Sequence, residues 1–406
     1  MRVLLIGSGG REHALATALA ADSSVDALVC APGSPGMAEL GECVRVNAND
    51  PAAVASLAVT SAADLVIVGP EAPLVAGVAD AVRAKGVPVY GPSREAARIE
   101  GSKSFAKEVM AAANVPTAAA RACRTQKEIE AALDEFGAPY VVKDDGLAAG
   151  KGVVVTENRE AALAHGLDCG RVVVEEYLDG PEVSLFVVSD GETARPLLPA
   201  QDFKRVGDGG SGPNTGGMGA YTPLPWAPDD LVAEIMTTVA EPTLAEMTRR
   251  GTPFVGTLYC GLALTSKGLK VVEFNARFGD PEIQPILALL ETPLGGLLHA
   301  AATGGLADFG TLWWREGAAV CVVVANEGYP ESTVTGRPIY GADQEGVLHA
   351  GTALDATGQL IATGGRVLNC VGTGASVEQA RQEAYMLAEG VKIEGGHFRR
   401  DIAAGI

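Results

Sequence analysis

The sequence predicts an α/β and α+β multidomain protein: an N-terminal open parallel sheet, a middle α+β region with a small flap unit, and a strand-rich C-terminal domain. Three observations carry this. The chain has 406 residues, too many for one compact core. Its first hundred or so alternate short apolar runs with Ala-rich helical stretches, the signature of a largely parallel sheet. From about residue 315 the pattern turns strand-rich and closes on one helix.

In order, apolar runs place strands at 2–6, 26–30, 64–68 and 87–90, and helical spacing places helices near 11–21, 51–59, 72–84 and 94–112. After Val115-Pro116-Thr117 the pattern changes, and 120–186 reads as a small unit: a helix near 125–136 and strands at 139–144, 152–156 and 171–177. The middle region continues with strands near 183–189, 195–200, 254–265 and 269–275 and a helix near 229–249. Gly-Gly pairs at 364–365 and 395–396 mark turns in the last unit, before and after a helix at 376–389.

Composition narrows the function. Hydrophobic residues make up 47% and charged residues 20%, which describes a globular enzyme rather than a disordered chain. The apolar runs are too short to span a bilayer, so no membrane partner is expected. Fifty acidic against 31 basic residues give a net charge of −19, which repels a long polyanion and argues against nucleic acid as the partner. A small anion needs only a local cluster of donors. Seven scattered cysteines, with no Cys-x-x-Cys pair, fit reduced thiols in a cytoplasmic protein rather than disulfides or zinc.

Gly-rich loops carry the next signal. Gly7-Ser8-Gly9-Gly10-Arg11-Glu12-His13 joins the first strand to a helix but is not a dinucleotide fingerprint. Glu12 stands where the third glycine belongs, and the second strand ends in Cys30-Ala31-Pro32-Gly33 without a ribose-binding acid. The loop is either a phosphate cradle or a tight turn, and His13 alone reads as a packing residue. Asp145-Gly146-Leu147-Ala148-Ala149-Gly150-Lys151-Gly152 is likewise no P-loop, since a strand follows it. It reads as a flap whose backbone and Lys151 cover phosphates, with Lys143 on the preceding strand as a second cation. Val172-Val173-Val174-Glu175-Glu176-Tyr177-Leu178, followed by Glu182, is a strand and bend that by itself is only that. Gln201-Asp202-Phe203-Lys204-Arg205 and Gly212-Pro213-Asn214-Thr215-Gly216-Gly217-Met218-Gly219 are too rich in polar side chains for a linker and read as a substrate loop.

In Val271-Val272-Glu273-Phe274-Asn275-Ala276-Arg277 apolar and polar residues alternate, so Glu273 and Asn275 share one face of a strand. Two oxygen ligands at that spacing suit a hard cation that also takes phosphate oxygens, although a half-buried strand with a solvated edge has the same pattern. Arg277 follows and presents a planar fork to a carboxylate or phosphate.

At these residues the chain resembles the glycinamide ribonucleotide synthetase (phosphoribosylamine–glycine ligase) family of ATP-grasp enzymes. The matching segments are GSGGREHALA at 7–16, VGPEAPLVAGVAD at 68–80, EGSKSFAK at 100–107, LAAGKGV at 147–153, GPNTGGMGAY at 212–221, EFNARFGDPE at 273–282 and HAGT at 349–352. The resemblance implies an N-terminal substrate-binding domain at 1–100, an ATP-grasp region at 101–314 with a lid at 120–186, and a C-terminal domain at 315–406. It also implies ligation of glycine to 5-phosphoribosylamine with ATP, through a glycyl phosphate, in purine biosynthesis. Another ATP-grasp ligase or carboxylase acting on different substrates is the alternative.

By the same resemblance Lys103, Lys143, Lys151 and Gly152 meet the ATP phosphates, Glu175, Glu176, Tyr177 and Leu178 meet adenine, and Glu182 meets the ribose. Glu273 and Asn275 would hold Mg²⁺ or Mn²⁺. Gly9, Gly10, Arg11, Gly69, Pro70 and Glu71 would seat phosphoribosylamine, with Pro213, Asn214, Thr215, Gly216 and Gly217, and Asp202 and Lys204 would be further substrate-binding residues. Lys151, Asp202 and Arg277 are expected at the reacting groups, Arg277 on the glycine carboxylate. The expected state is a monomer or weak homo-oligomer. Three departures stand out: Phe203 where many members have His, Asp144 where Ala is common, and a short stretch between Val155 and Arg171.

Overall fold

The computed structural model describes residues 1–147 and 152–406. The N-terminal sheet is parallel, in the order Glu42–Cys43, Ala27–Pro32, Arg2–Gly7, Leu65–Val68, Val89–Tyr90. Leu4 pairs with both Val29 and Val66, and Leu4, Leu5 and Ile6 are fully buried. Strand order reverses beside Arg2–Gly7, and the two loops leaving that switch point are Gly7–Arg11 and Gly69–Glu71. That is where open α/β sheets bind ligands.

Local chemistry shifts several expected boundaries. The helix expected at 72–84 splits into Glu71–Ala76 and Val78–Arg83 at Gly77, whose φ of 92° ends the first turn. The helix expected at 94–112 becomes Arg98–Gly101 and Lys103–Ala112, because Ser102 is extended and caps the second piece by accepting from Phe105 N. The helix expected at 229–249 is present, with a π turn at Met236–Ala240 just before Pro242, which has no N–H to give. Three helices went unassigned in the sequence: Arg159–Cys169, Ile283–Leu289 and Leu294–Thr303. The first fills the short stretch after Val155.

Lid strands Ala120–Cys123, Val172–Glu175, Tyr140–Asp144 and Val153–Thr156 form one antiparallel sheet. Ile129, Leu133, Val142, Ala162, Val172 and Val174 give it a core of its own. A second antiparallel sheet orders Ala194–Pro196, Glu182–Asp190, Val255–Thr265 and Gly268–Asn275. The segment expected as one strand at 195–200 divides, its continuation Gln201–Asp202 pairing instead with Gly219–Thr222. Those two short strands extend the C-terminal sheet, next to Ala318–Ala325, Arg366–Gly374 and Val347–His349. The loop at 212–219 is therefore tied into the C-terminal sheet.

Candidate active site

A cleft of about 270 Å³ opens where the N-terminal sheet, the lid, the second sheet and the C-terminal sheet meet. Of the residues singled out in the sequence, Arg11, Glu71, Lys103, Lys143, Gly152, Glu175, Asp202, Lys204, Thr215, Gly216, Glu273, Asn275 and Arg277 line it. Gly9, Gly10, Gly69, Pro70, Glu176, Tyr177, Leu178, Glu182, Pro213, Asn214 and Gly217 are not among its lining residues. Lys151 lies outside the described residues.

The lid side is a cluster of cations around one acid. Glu175 is buried and paired to Lys143 at 2.8 Å and to Lys107 at 3.0 Å. Its side chain is thus engaged in an ion triad. Burial would raise the Glu175 pKa, but the two lysines outweigh it and hold the carboxyl below its usual range. Lys143 ends above its ordinary value because Glu175 overcomes burial, while Lys107 ends below because burial, with repulsion from Lys143, outweighs Glu175. Lys143 also donates to Val272 O at 2.9 Å, bridging lid and second sheet. Asp145 closes the same junction: its carboxylate accepts from Ser104 N at 2.8 Å, Ser104 Oγ at 2.6 Å and Arg171 Nε at 2.6 Å. Lys103 Nζ donates to Gly146 O at 3.0 Å.

Further along, Glu176 pairs with Lys270 at 2.7 Å, Tyr177 is half-exposed, and Glu182 pairs with Lys204 at 2.6 Å. Lys204 also meets Asp202 at 3.1 Å. Burial raises the Asp202 carboxyl, helped by Glu182 and only partly opposed by Lys204, whereas the two acids lift Lys204 well above its ordinary range. Phe203 packs on Tyr221 with the Arg399 guanidinium over its face at 5.1 Å.

Glu273 and Asn275 project from the last strand of the second sheet, opposite Gly261 and Tyr259. Both line the cleft, and among the described residues neither side chain has a hydrogen-bond or ion-pair partner. A carboxylate and an amide oxygen left open beside a cluster of lysines is the donor set a hard divalent cation takes, so the residues present fit a Mg²⁺- or Mn²⁺-type ion.

Arg277 is held between two acids, Glu100 at 2.9 Å and Glu71 at 3.2 Å, and also donates to Phe278 O. Nε and Nη1 each donate one hydrogen bond, to Glu71 and to Phe278 O, while Nη2 faces Glu100 as an ion pair, so the guanidinium keeps N–H groups free for a further anion. Burial would lower the guanidinium, but Glu100 and Glu71 raise it further, so it is a permanent cation. The N-terminal glycine loop is not an open cradle. Glu12 accepts from Gly9 N and Arg11 Nε, both at 2.7 Å, and its carboxylate lies so close to Gly69 that a Cβ there would sit 2.3 Å from Oε1. Glu12 thus takes the Gly9 N–H in a capping box and packs both switch-point loops together.

Residues not singled out for the site include Glu100, Lys107, Tyr259, Asp280, Glu282 and Arg366, all lining the cleft. Glu100, Lys107, Asp280 and Glu282 fall inside the matching segments, a usable signal. Arg366 had none: it arrives from the C-terminal sheet to bond Gly216 O at 2.8 Å and the Asp280 carboxylate at 3.0 Å. Among the described residues the cleft presents cations, carboxylates and backbone, with no Ser-His or Cys-His pair. Such a site can position anions and stabilise developing charge.

Family models agree along the chain: the phosphoribosylglycinamide synthetase N domain matches 1–100, its ATP-grasp (A) domain 101–283 and its C domain 319–405. The phosphoribosylamine–glycine ligase of Streptomyces coelicolor is 60% identical over 100% of this chain and 99% of its own length. That of Mycobacterium leprae is 56% identical over 99% and 97%. A crystal structure of the Thermotoga maritima phosphoribosylamine–glycine ligase superposes with a TM-score of 0.86 at 33% identity, over 99% of this chain and 100% of that one. The biotin carboxylase domain of the Hydrogenobacter thermophilus 2-oxoglutarate carboxylase, at 16% identity and a TM-score of 0.73 over 98% and 91%, shares the fold alone. With its cleft, its three matched domains and relatives of this identity, the chain belongs to the phosphoribosylglycinamide synthetase family of ATP-grasp ligases.

Proposed function

We propose that this protein is an ATP-dependent carboxylate–amine ligase that joins glycine to 5-phosphoribosylamine, giving glycinamide ribonucleotide, ADP and phosphate in purine biosynthesis. The observation that carries this is a cleft ringed by cations and carboxylates, in a chain 60% identical over its full length to a phosphoribosylamine–glycine ligase. The route runs through a glycyl phosphate: the glycine carboxylate takes the γ-phosphoryl group of ATP, and the amine displaces it as phosphate.

Lys103, Lys143, Lys151 and Gly152 face the ATP phosphates, the backbone from Glu175 to Leu178 faces adenine, and Glu182 faces the ribose. Glu273 and Asn275 would hold Mg²⁺ or Mn²⁺, which when bound supplies positive charge beside the phosphates. Arg277 grips the glycine carboxylate with its remaining N–H groups while Glu100 and Glu71 fix its plane. Asp202 and Lys204 face the glycine end of the site, and Lys151 is the flap cation near the transferred phosphoryl group. Gly9–Arg11, Gly69–Glu71 and the loop at 212–219 shape the phosphoribosylamine side, Arg11 and Glu71 through bracing rather than as free charges.

Domain limits of 1–100, 101–314 with a lid at 120–186, and 315–406 follow from this reading. So do a monomeric or weakly self-associating state, a cytoplasmic location and no nucleic-acid partner, the last supported by the net charge of −19. No helix among the described residues is long and apolar enough to cross a membrane. The test is ADP release by the purified protein across a panel of small acids and amines. Release that requires glycine and phosphoribosylamine together supports the proposal; release driven by a different acid or amine overturns it.

A further inference from the structure

Seven carboxylates line the cleft: Glu71, Glu100, Glu175, Asp202, Glu273, Asp280 and Glu282. Five are paired to a cation: Glu71 and Glu100 to Arg277, Glu175 to Lys143 and Lys107, Asp202 to Lys204, and Asp280 to Arg366. Glu273 belongs with Asn275. Glu282 is left. It is only 5% exposed and has no ion-pair partner among the described residues. Its one side-chain hydrogen bond, from Ser184 Oγ, is 3.5 Å long, and Ser184 makes a shorter one of 2.9 Å with Tyr259.

Room for this acid is built in. Its Oε2 lies 2.5 Å from where a Cβ on Gly279 would stand, so the absence of a side chain at Gly279 leaves the carboxylate room in this position. A buried acid with no cation is costly when charged and therefore favours holding a proton or meeting a proton donor. Charged and titratable groups face it from several elements: Asp202 and Lys204 from the substrate strand, Arg277 from its own turn, Tyr259 from the second sheet, and Arg366 and Cys321 from the C-terminal sheet. Burial and Asp202 push Glu282 up to about 7 against Lys204 and Arg277. An acid balanced there exchanges its proton readily at neutral pH.

We infer that Glu282 is the base that takes the proton released when the amine of phosphoribosylamine attacks the glycyl phosphate. This rests on the ligase reading above. The amine nitrogen forms the C–N bond to the acyl carbon, and the C–O bond to phosphate breaks, phosphate leaving with the electron pair. The nitrogen, cationic once bonded, gives one proton to the Glu282 carboxylate, which returns it to solvent after product leaves. No other reactant is consumed.

The experiment separates the two half-reactions. ATP carrying oxygen-18 in the β–γ bridge, incubated with glycine alone, scrambles that label only if glycyl phosphate forms reversibly. Glu282→Gln keeps the shape of the protonated acid and should scramble label within about threefold of the parent, while amide formation falls by roughly 10²–10⁴-fold, the usual contribution of a general base. In the parent, kcat/KM for phosphoribosylamine should rise with pH on a limb near neutrality that Glu282→Gln lacks and Glu282→Asp restores at a lower rate. Equal loss of scrambling in Glu282→Gln would overturn the inference and assign this acid to glycine itself, as would amide formation at the parental rate with the limb intact. A parent protein that never scrambles label with glycine contradicts the ligase reading instead.

Discussion

Arg366 Nη1 donates to Gly216 O at 2.8 Å, and its Nη2 meets the Asp280 carboxylate at 3.0 Å. One guanidinium from the C-terminal sheet thus staples the 212–219 loop to the turn that follows Glu273 and Asn275. The staple needs a planar fork, which a lysine's single ammonium cannot copy. Arg366→Lys should lower kcat/KM for phosphoribosylamine by about 10–100-fold, corresponding to roughly 1.5–3 kcal/mol of charge-assisted hydrogen bonding. Steady-state kinetics with each substrate varied in turn will check this, and unchanged kinetics would show that the loop keeps its place without the staple.

Glu273 has its carboxylate open to the cleft and no partner among the described residues. Replacing it with alanine should leave the fold intact and abolish most turnover. Stabilisation of the parent against heat by ADP with Mg²⁺, over ADP alone, should vanish in Glu273→Ala. Near-normal turnover at saturating Mg²⁺ would remove Glu273 from the metal site.

The lid has its own core, and polar contacts such as Lys143 to Val272 O and Asp145 to Ser104 join it to the rest. Such a unit can move as a body at modest cost. Hydrogen exchange in peptides spanning Tyr140–Thr156 should slow when ATP and Mg²⁺ are added. Identical exchange with and without saturating nucleotide would argue against closure.

His13 offers a pH test of how the N- and C-terminal domains are joined. His349 N donates to His13 Nδ1 at 2.7 Å, the reverse of what a protonated ring allows. Burial, then the His349 charge, lower His13 to about 4. A depressed histidine adds stability that is fully present above its unfolded value of 6.5 and is lost as pH falls toward 4. The loss should be on the order of 2–3 kcal/mol between pH 7 and 4. Urea unfolding at stepped pH should show that slope in the parent and a shallower one in His13→Gln; equal slopes would exclude His13 as its source.

Much of this was readable from the chain because the signals are local. Alternation in Val272–Asn275 puts Glu273 and Asn275 on one face whatever the tertiary fold, and the N-terminal strands follow from short apolar runs between helical stretches. Pairings made at long range were not readable. The ion triad of Glu175 is one: Lys107, 68 positions earlier in the chain, gives no hint in its own segment of meeting it. Arg366 and Gly216 are 150 positions apart. In the sequence Glu12 reads only as a missing glycine; that its carboxylate packs against Gly69 from another loop is a long-range contact. The helices at 283–303 were missed because apolar residues run nearly all round them, which erases the helical period.

The central claim is that glycine is activated by phosphorylation before the amine attacks. Glycine labelled with oxygen-18 in its carboxylate, turned over with ATP and phosphoribosylamine, tests it directly by mass analysis of the phosphate released. Transfer of one labelled oxygen from glycine to phosphate for each glycinamide ribonucleotide formed is the predicted result. Phosphate free of label, formed alongside product, would contradict it.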